Sequence, residues 1–352
     1  MLKLKKKHLA IFIALVMVFA LAACGNNDPA PPPPPPADNG EAERTYHVIT
    51  AGHSFAEVTQ VHHYFVVFAE ELYRLSDGRI TTNIFSAGAL GADRELLEAV
   101  QAGDVQLMAG ATVGHVAFAP DLAIFDMMFI HDSLEQARRW IDDPDFMTVL
   151  REVYSDVGFH ILGFGDAGFR YLTANIPVRT PADLGGFTLR ASANELHIAT
   201  WQAMGANPTP MPITEVYMAL HTGVVDGQEN PIVLNYGQRF YETQAYSIEI
   251  NHFYQMDGYI MCPVFYNSLP PELQAAVDQA SDIAIASTRQ WIVDNNERMI
   301  QHMKDAGVTF ITLTPEEVAP FRVLAEPVWE TIRAQVDPRL WDAHMTALDR
   351  SR

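Results

Sequence analysis

Residues 161–173, ILGFGDAGFRYLT, set Gly163, Gly165 and Gly168 in the spacing G-x-G-x-x-G two residues ahead of Arg170. In a dinucleotide site that spacing opens a helix whose N-terminus holds the pyrophosphate. Here it runs into FRYLTANIPVRTP, which is aromatic, β-branched and broken by Pro177 and Pro181, so it reads as strand and loop. The glycines are better explained as a crossover between two lobes. Without Cβ atoms the backbone can turn sharply and approach a ligand closely, and Arg170 emerges at that turn.

Other reactive patterns are sparse. GHSFA at 52–56 lacks the last glycine of a nucleophile elbow, and neither H-E-x-x-H nor a paired-cysteine zinc motif occurs. His62 and His63 fall at a helix start, where neutral surface or capping roles are expected. Cys262 sits in YIMCPVFY and reads as a core hydrophobe. Catalysis, metal binding and a resident cofactor are therefore not expected.

The N-terminus carries an address. MLKLKKK precedes the uncharged apolar run LAIFIALVMVFALAA and then Cys24. A basic end, a short apolar segment and small residues at the cut make residues 1–23 a signal peptide. LAAC resembles a bacterial lipobox, which implies cleavage before Cys24 and lipidation of its sulfur, and more than one acyl chain gives stable anchoring. Residues 24–43, with six consecutive prolines, read as a lipidated cysteine and a semi-rigid stalk. The formal charge is −20, and loss of the four lysines of residues 1–23 takes the mature chain to about −24. That surface disfavours nucleic acid but leaves a small anion free to bind arginines in a cleft.

The elements that must position Arg170 follow from hydrophobic period. YHVITAG, RITTNIF and DVQLMAG read as strands separated by the helical stretches HHYFVVFAEELYRLSDG and ADRELLEAVQAG, an α/β layer. GFTLRAS, NELHIATWQAMG, TEVYMALHTG and VVDGQEN repeat the grammar, with NPTPMP as a proline-rich connection. From Pro270 to Gly307 no glycine or proline interrupts the chain after Pro271, which predicts a helix of about 50 Å bracing both lobes. A bend near Ser287 and Thr288 is the alternative.

The second half, GANPTPMPITEVYMALHTGVVDGQENPIVLNYGQRFYETQAY at 205–246, resembles the solute receptors of TRAP transporters, of the C4-dicarboxylate-receptor type. SAGALGADRELLEAVQAGDVQLMAG, FDMMFI, GFR and PADLGGFTLRAS carry the same resemblance in the same order. It implies a two-lobed, periplasmic-binding-protein-like α/β fold with a long helix across both lobes. The expected lobes are 44–167 plus about 256–295, and 168–255 plus about 296–352. The implied function is extracytoplasmic capture of a small organic carboxylate for delivery to a TRAP permease.

The resemblance also implies the ligand contacts. Arg190, on the strand after P-x-D-L-x-G, grips the carboxylate, Arg170 supports it, and Asn230 of Q-E-N-P hydrogen-bonds the ligand. Ile213 stands where a ligand-packing Phe is frequent, and His53 and Asp93 are the expected first-lobe contributors. Gly110 stands where sialic-acid receptors carry an acid, which argues against that ligand. Alternation along FTLRA independently puts Arg190 on the face opposite Phe187 and Leu189. Asp226 and Glu229 are expected to orient these groups or cap the fold.

Overall fold

The chain builds its first parallel layer from strands whose residues alternate or are wholly apolar. The computed structural model describes residues 45–352, so the signal peptide, Cys24 and the proline stalk lie outside the described residues. Strand β1 (His47–His53), helix α1 (Gln60–Leu75), β2 (Ile80–Phe85), α2 (Asp93–Ala102) and β3 (Leu107–Ala111) form the expected α/β run, with β2–β1–β3 paired in parallel. Two helices, α3 (Leu134–Ile141) and α4 (Pro144–Asp156), then lead into β4 (His160–Ala174). The second layer comprises β5 (Thr188–Ala191), α5 (Glu195–Ala203), β6 (Asn207–Pro210), α6 (Ile213–His221), β7 (Gly227–Pro231) and α7 (Ile232–Gly237). Strands β8 (Tyr246–Glu249) and β9 (Tyr254–Met261), helices α8 (Pro263–Ser268) and α9 (Pro271–Asp305), and β10 (Thr309–Thr312) follow. Helices α10 (Pro315–Ala325), α11 (Pro327–Gln335) and α12 (Pro338–Ser351) close the chain.

Strand β4 is the member shared by both halves. Its first ten residues pair antiparallel with β9, and from Arg170 onward it pairs with β7 and then also with β8. The glycine motif is thus a fifteen-residue strand and not a turn. Two bulges, at Ile161/Gly163 and Asp166/Gly168, bend it while the ladder continues. Gly168 has φ +90°, the left-handed conformation that a bulge requires and glycine adopts at no steric cost. A Cβ on Gly165 would stand 2.5 Å from the Tyr259 hydroxyl, so that glycine is needed for close packing.

Helix α9 is continuous over 35 residues, about 50 Å. Thr288 does not interrupt it, and its Oγ1 donates to Ala284 O at 2.7 Å within the helix. Leu273, Val277 and Ala280 pack with Tyr64 and Phe65 of α1. Further along, Arg289 lies 3.7 Å from Asp166 of β4 and also pairs with Asp142.

Two expectations need revision. NPTP of the proline-rich connection is β6, an edge strand parallel to β5, where a residue without N–H is tolerated. The C-terminal segment divides: Phe321 and Ala325 of α10 pack with Leu189 and Trp201, whereas α12 packs elsewhere. Leu340, Ala347 and Leu348 of α12 join the core around Trp140, Phe146 and Leu150 of α3 and α4. Apolar faces on α3 and α4 are left open by the β-sheet, and α12 is what covers them.

Candidate functional site

Arg190 is the third residue of β5. Phe187 and Leu189 point into the core with Trp201, so the pleat delivers Arg190 to the other face. There it is 4 % exposed, and its Nε and Nη2 both donate to Met211 O, at 3.0 and 2.7 Å. Among the described residues no carboxylate lies within ion-pair distance of it. Among the described residues, both Nη1 hydrogens and the second Nη2 hydrogen have no protein acceptor. Burial, and then the charge of Arg170, push its pKa down to about 10, so it remains a cation at neutral pH.

Arg170 is placed differently. It is 1 % exposed on β4 and pairs through Nε and Nη2 with both oxygens of Glu229 on β7. Nη2 also donates to Glu229 O at 2.6 Å, and Nη1 donates to Gln255 Oε1 at 2.7 Å. One Nη1 hydrogen is left. Glu229 is wholly buried, and His197 and His252 place Nε2 at 2.9 and 3.1 Å from its two oxygens. An ionised carboxylate only accepts, so both imidazoles must carry a proton on Nε2. Burial opposes the Glu229 charge, but Arg170 and His197 outweigh it and hold the carboxyl well below the usual range. Burial lowers the pKa of His252, favouring the neutral ring. Glu229 therefore neutralises Arg170 and fixes its plane.

Arg170, Arg190, Asn230, Ile213 and Asp93 all line one cavity of about 230 Å³. Asn230 is buried, with Nδ2 donating to Gln228 Oε1 and its own carbonyl accepting from Asn235 Nδ2. Ile213 begins α6 directly after Pro212 and is half-buried. Asp93 opens α2, and Ser54 Oγ donates to its Oδ1. Phe55 and Phe118 supply aromatic walls. Asn194 caps α5 and ties its start to the other side by donating to Val113 O at 2.9 Å and Asp126 Oδ2 at 2.7 Å.

His53 is the exception among the expected contacts. It is 1 % exposed, stacks on Phe65 with ring centroids 5.2 Å apart, and faces His62 with Nε2 3.1 Å from that residue's Nδ1. It does not line the cavity. Burial, then the neighbouring His62, depress its pKa to about 3, so it is a neutral core residue. His63 contacts Ser287 and stacks on Trp291, fastening α1 to α9. Cys262 is buried and unbonded to sulfur. Asp226 accepts from Thr188 N at 2.7 Å, a structural contact. Gln255, missed from sequence, reaches the site through the β4–β9 register. Phe55 and Phe118 carry no distinguishing pattern beyond being aromatic.

A cavity with fixed arginine donors, an asparagine and aromatic walls can bind an anion. Comparison with known proteins agrees. The family profile described as "Bacterial extracellular solute-binding protein, family 7" (DctP) matches residues 51–335. The C4-dicarboxylate-binding periplasmic protein DctP of Rhodobacter capsulatus is 30% identical over 274 residues, covering 76% of this chain and 81% of its own. The sugar acid binding protein DctPAm of Advenella mimigardefordensis, solved with galactonate, superposes with a TM-score of 0.84 at 26% identity, covering 88% of this chain and 99% of its own. A TRAP periplasmic solute binding protein of Shewanella oneidensis with bound succinate gives 0.82 at 27% identity, covering 86% and 100%. The chain has the two-lobed α/β receptor fold and belongs to family 7 of the bacterial extracellular solute-binding proteins, the DctP family, whose members are receptors and not enzymes.

Proposed function

We propose that this protein captures a small organic carboxylate outside the cytoplasmic membrane and delivers it to a TRAP-type permease. The observation that carries the reading is Arg190: a buried guanidinium without a carboxylate partner, presenting three unused N–H groups to a cavity. A buried cation is costly unless paired, and a ligand carboxylate meets both its charge and its fork geometry. Arg170 contributes its remaining Nη1 hydrogen, Asn230 a further polar contact, and Ile213 an apolar one. Asp93 borders the ligand from α2. Closure of two lobes about the strands and helix that join them would sequester the acid.

Cys24 is the proposed membrane attachment, with residues 25–43 as the spacer from the bilayer. Replacing the sulfur removes the acylation site, so Cys24→Ser should move the protein from the membrane to the soluble fraction; continued membrane association would reject the lipid anchor. The receptor reading is tested by a thermal-shift screen against organic acids, since a ligand of the native state raises the melting temperature by mass action. An acid that shifts the wild type but not Arg190→Ala supports it. Equal shifts in both proteins oppose it.

A further inference from the structure

The cavity contains a carboxylate of its own. Asp93 lines it from the first turn of α2, and of its two oxygens only Oδ1 is occupied, by the Ser54 hydroxyl. Oδ2 has no donor among the described residues. Gly110 borders this carboxyl: a Cβ there would come into van der Waals contact, 3.4 Å from Asp93 Cγ and 3.6 Å from Oδ2. Arg94, the next residue, also lines the cavity but pairs with Glu98 at 3.0 Å and not with Asp93. Burial raises the Asp93 pKa, with Ser54 and Arg190 acting in the opposite direction.

Charge bookkeeping over the cavity then limits what fits. Glu229 cancels Arg170 and Glu98 pairs with Arg94, so among the described residues Arg190 is the lining cation without an ion-pair partner, and one ligand carboxylate satisfies it. A second ligand carboxylate would have to draw Arg94 away from Glu98, on a wall that also carries Asp93 and Glu95. A hydroxyl has one hydrogen to donate, which Oδ2 can accept. An ammonium has three, of which Oδ2 accepts one, while Ala92, Ala111 and Val113 beside it accept none. Resting on the receptor reading above, we infer that the cavity selects monocarboxylates carrying hydroxyl groups over dicarboxylates, with Asp93 accepting a ligand hydroxyl hydrogen.

The test is calorimetry on the full-length protein with four four-carbon acids: erythronate, succinate, butanoate and 4-aminobutanoate. Erythronate should bind at least tenfold more tightly than each of the others. Asp93→Asn keeps the side-chain volume and removes the charge, so the erythronate-to-succinate preference should shrink at least tenfold. Succinate binding as tightly as erythronate, 4-aminobutanoate binding tightest, or a preference unmoved by Asp93→Asn would each overturn the inference. The two levels separate cleanly. Acids that bind through Arg190 without that preference sink only this inference. If none binds wild type more tightly than Arg190→Lys, the receptor reading itself fails.

Discussion

Arg190→Lys keeps the positive charge and removes the fork. In the native cavity two of the five guanidinium hydrogens are spent on Met211 O and three remain. A lysine ammonium has three hydrogens on one nitrogen. Holding Met211 O would leave two that diverge and cannot meet both oxygens of a carboxylate. The substitution therefore costs at least one charge-assisted hydrogen bond, about 1.5–3 kcal/mol. That corresponds to about a 10- to 150-fold rise in Kd. Folding should be little affected, since the lost protein contacts end on one carbonyl, worth about 1 kcal/mol. Calorimetry with an acid identified by thermal shift gives the affinity, and the ligand-free melting temperature controls for folding. A folded variant that binds the acid as tightly as wild type would refute the carboxylate grip.

Two further predictions concern stability. Glu229→Gln leaves Arg170 buried without its counter-charge, and breaking such a pair costs about 3–5 kcal/mol; urea unfolding that shifts by less than about 1 kcal/mol would show the pair to be unimportant. The second is pH dependence. Burial holds His53, His115 and His131 at about 3 and His344 at about 4, below the unfolded value of 6.5, so only the unfolded chain takes up these protons as pH falls. Asp126 and Asp257, raised by burial to about 8 and about 6, act with the opposite sign. From pH 6 towards 4 the four histidines outweigh the two carboxyls, a net of about two protons, so stability should fall by about 2–3 kcal/mol per pH unit. Urea unfolding at pH 6 and pH 5 checks this, and equal or greater stability at pH 5 would contradict it.

The parts legible in the sequence were those governed by local rules. Alternation in FTLRA gave the face of Arg190 because strand period is a local property, and the unbroken run after Pro271 gave α9 because only glycine and proline interrupt a helix strongly. What escaped was set by long-range packing. The glycines of β4 are explained by Tyr259 and by two bulges, neither visible without its partner strand. Glu229 owes its role to Arg170, His197 and His252, which are 59, 32 and 23 residues away. The resemblance implies His53 as a first-lobe contact, but its ring stacks on Phe65, a contact set by packing between β1 and α1. The packing of α12 on α3 and α4 depends on amphipathic faces that could equally have met elsewhere.

On this reading Arg190 is held in reserve for a ligand's acid group. A crystal structure of the protein with a bound acid tests it most directly. It should show a ligand carboxylate within about 2.7–2.9 Å of the Arg190 guanidinium nitrogens, with Met211 O still accepting from Nε. An acid seated elsewhere, with Arg190 bonded to Met211 alone, would contradict it.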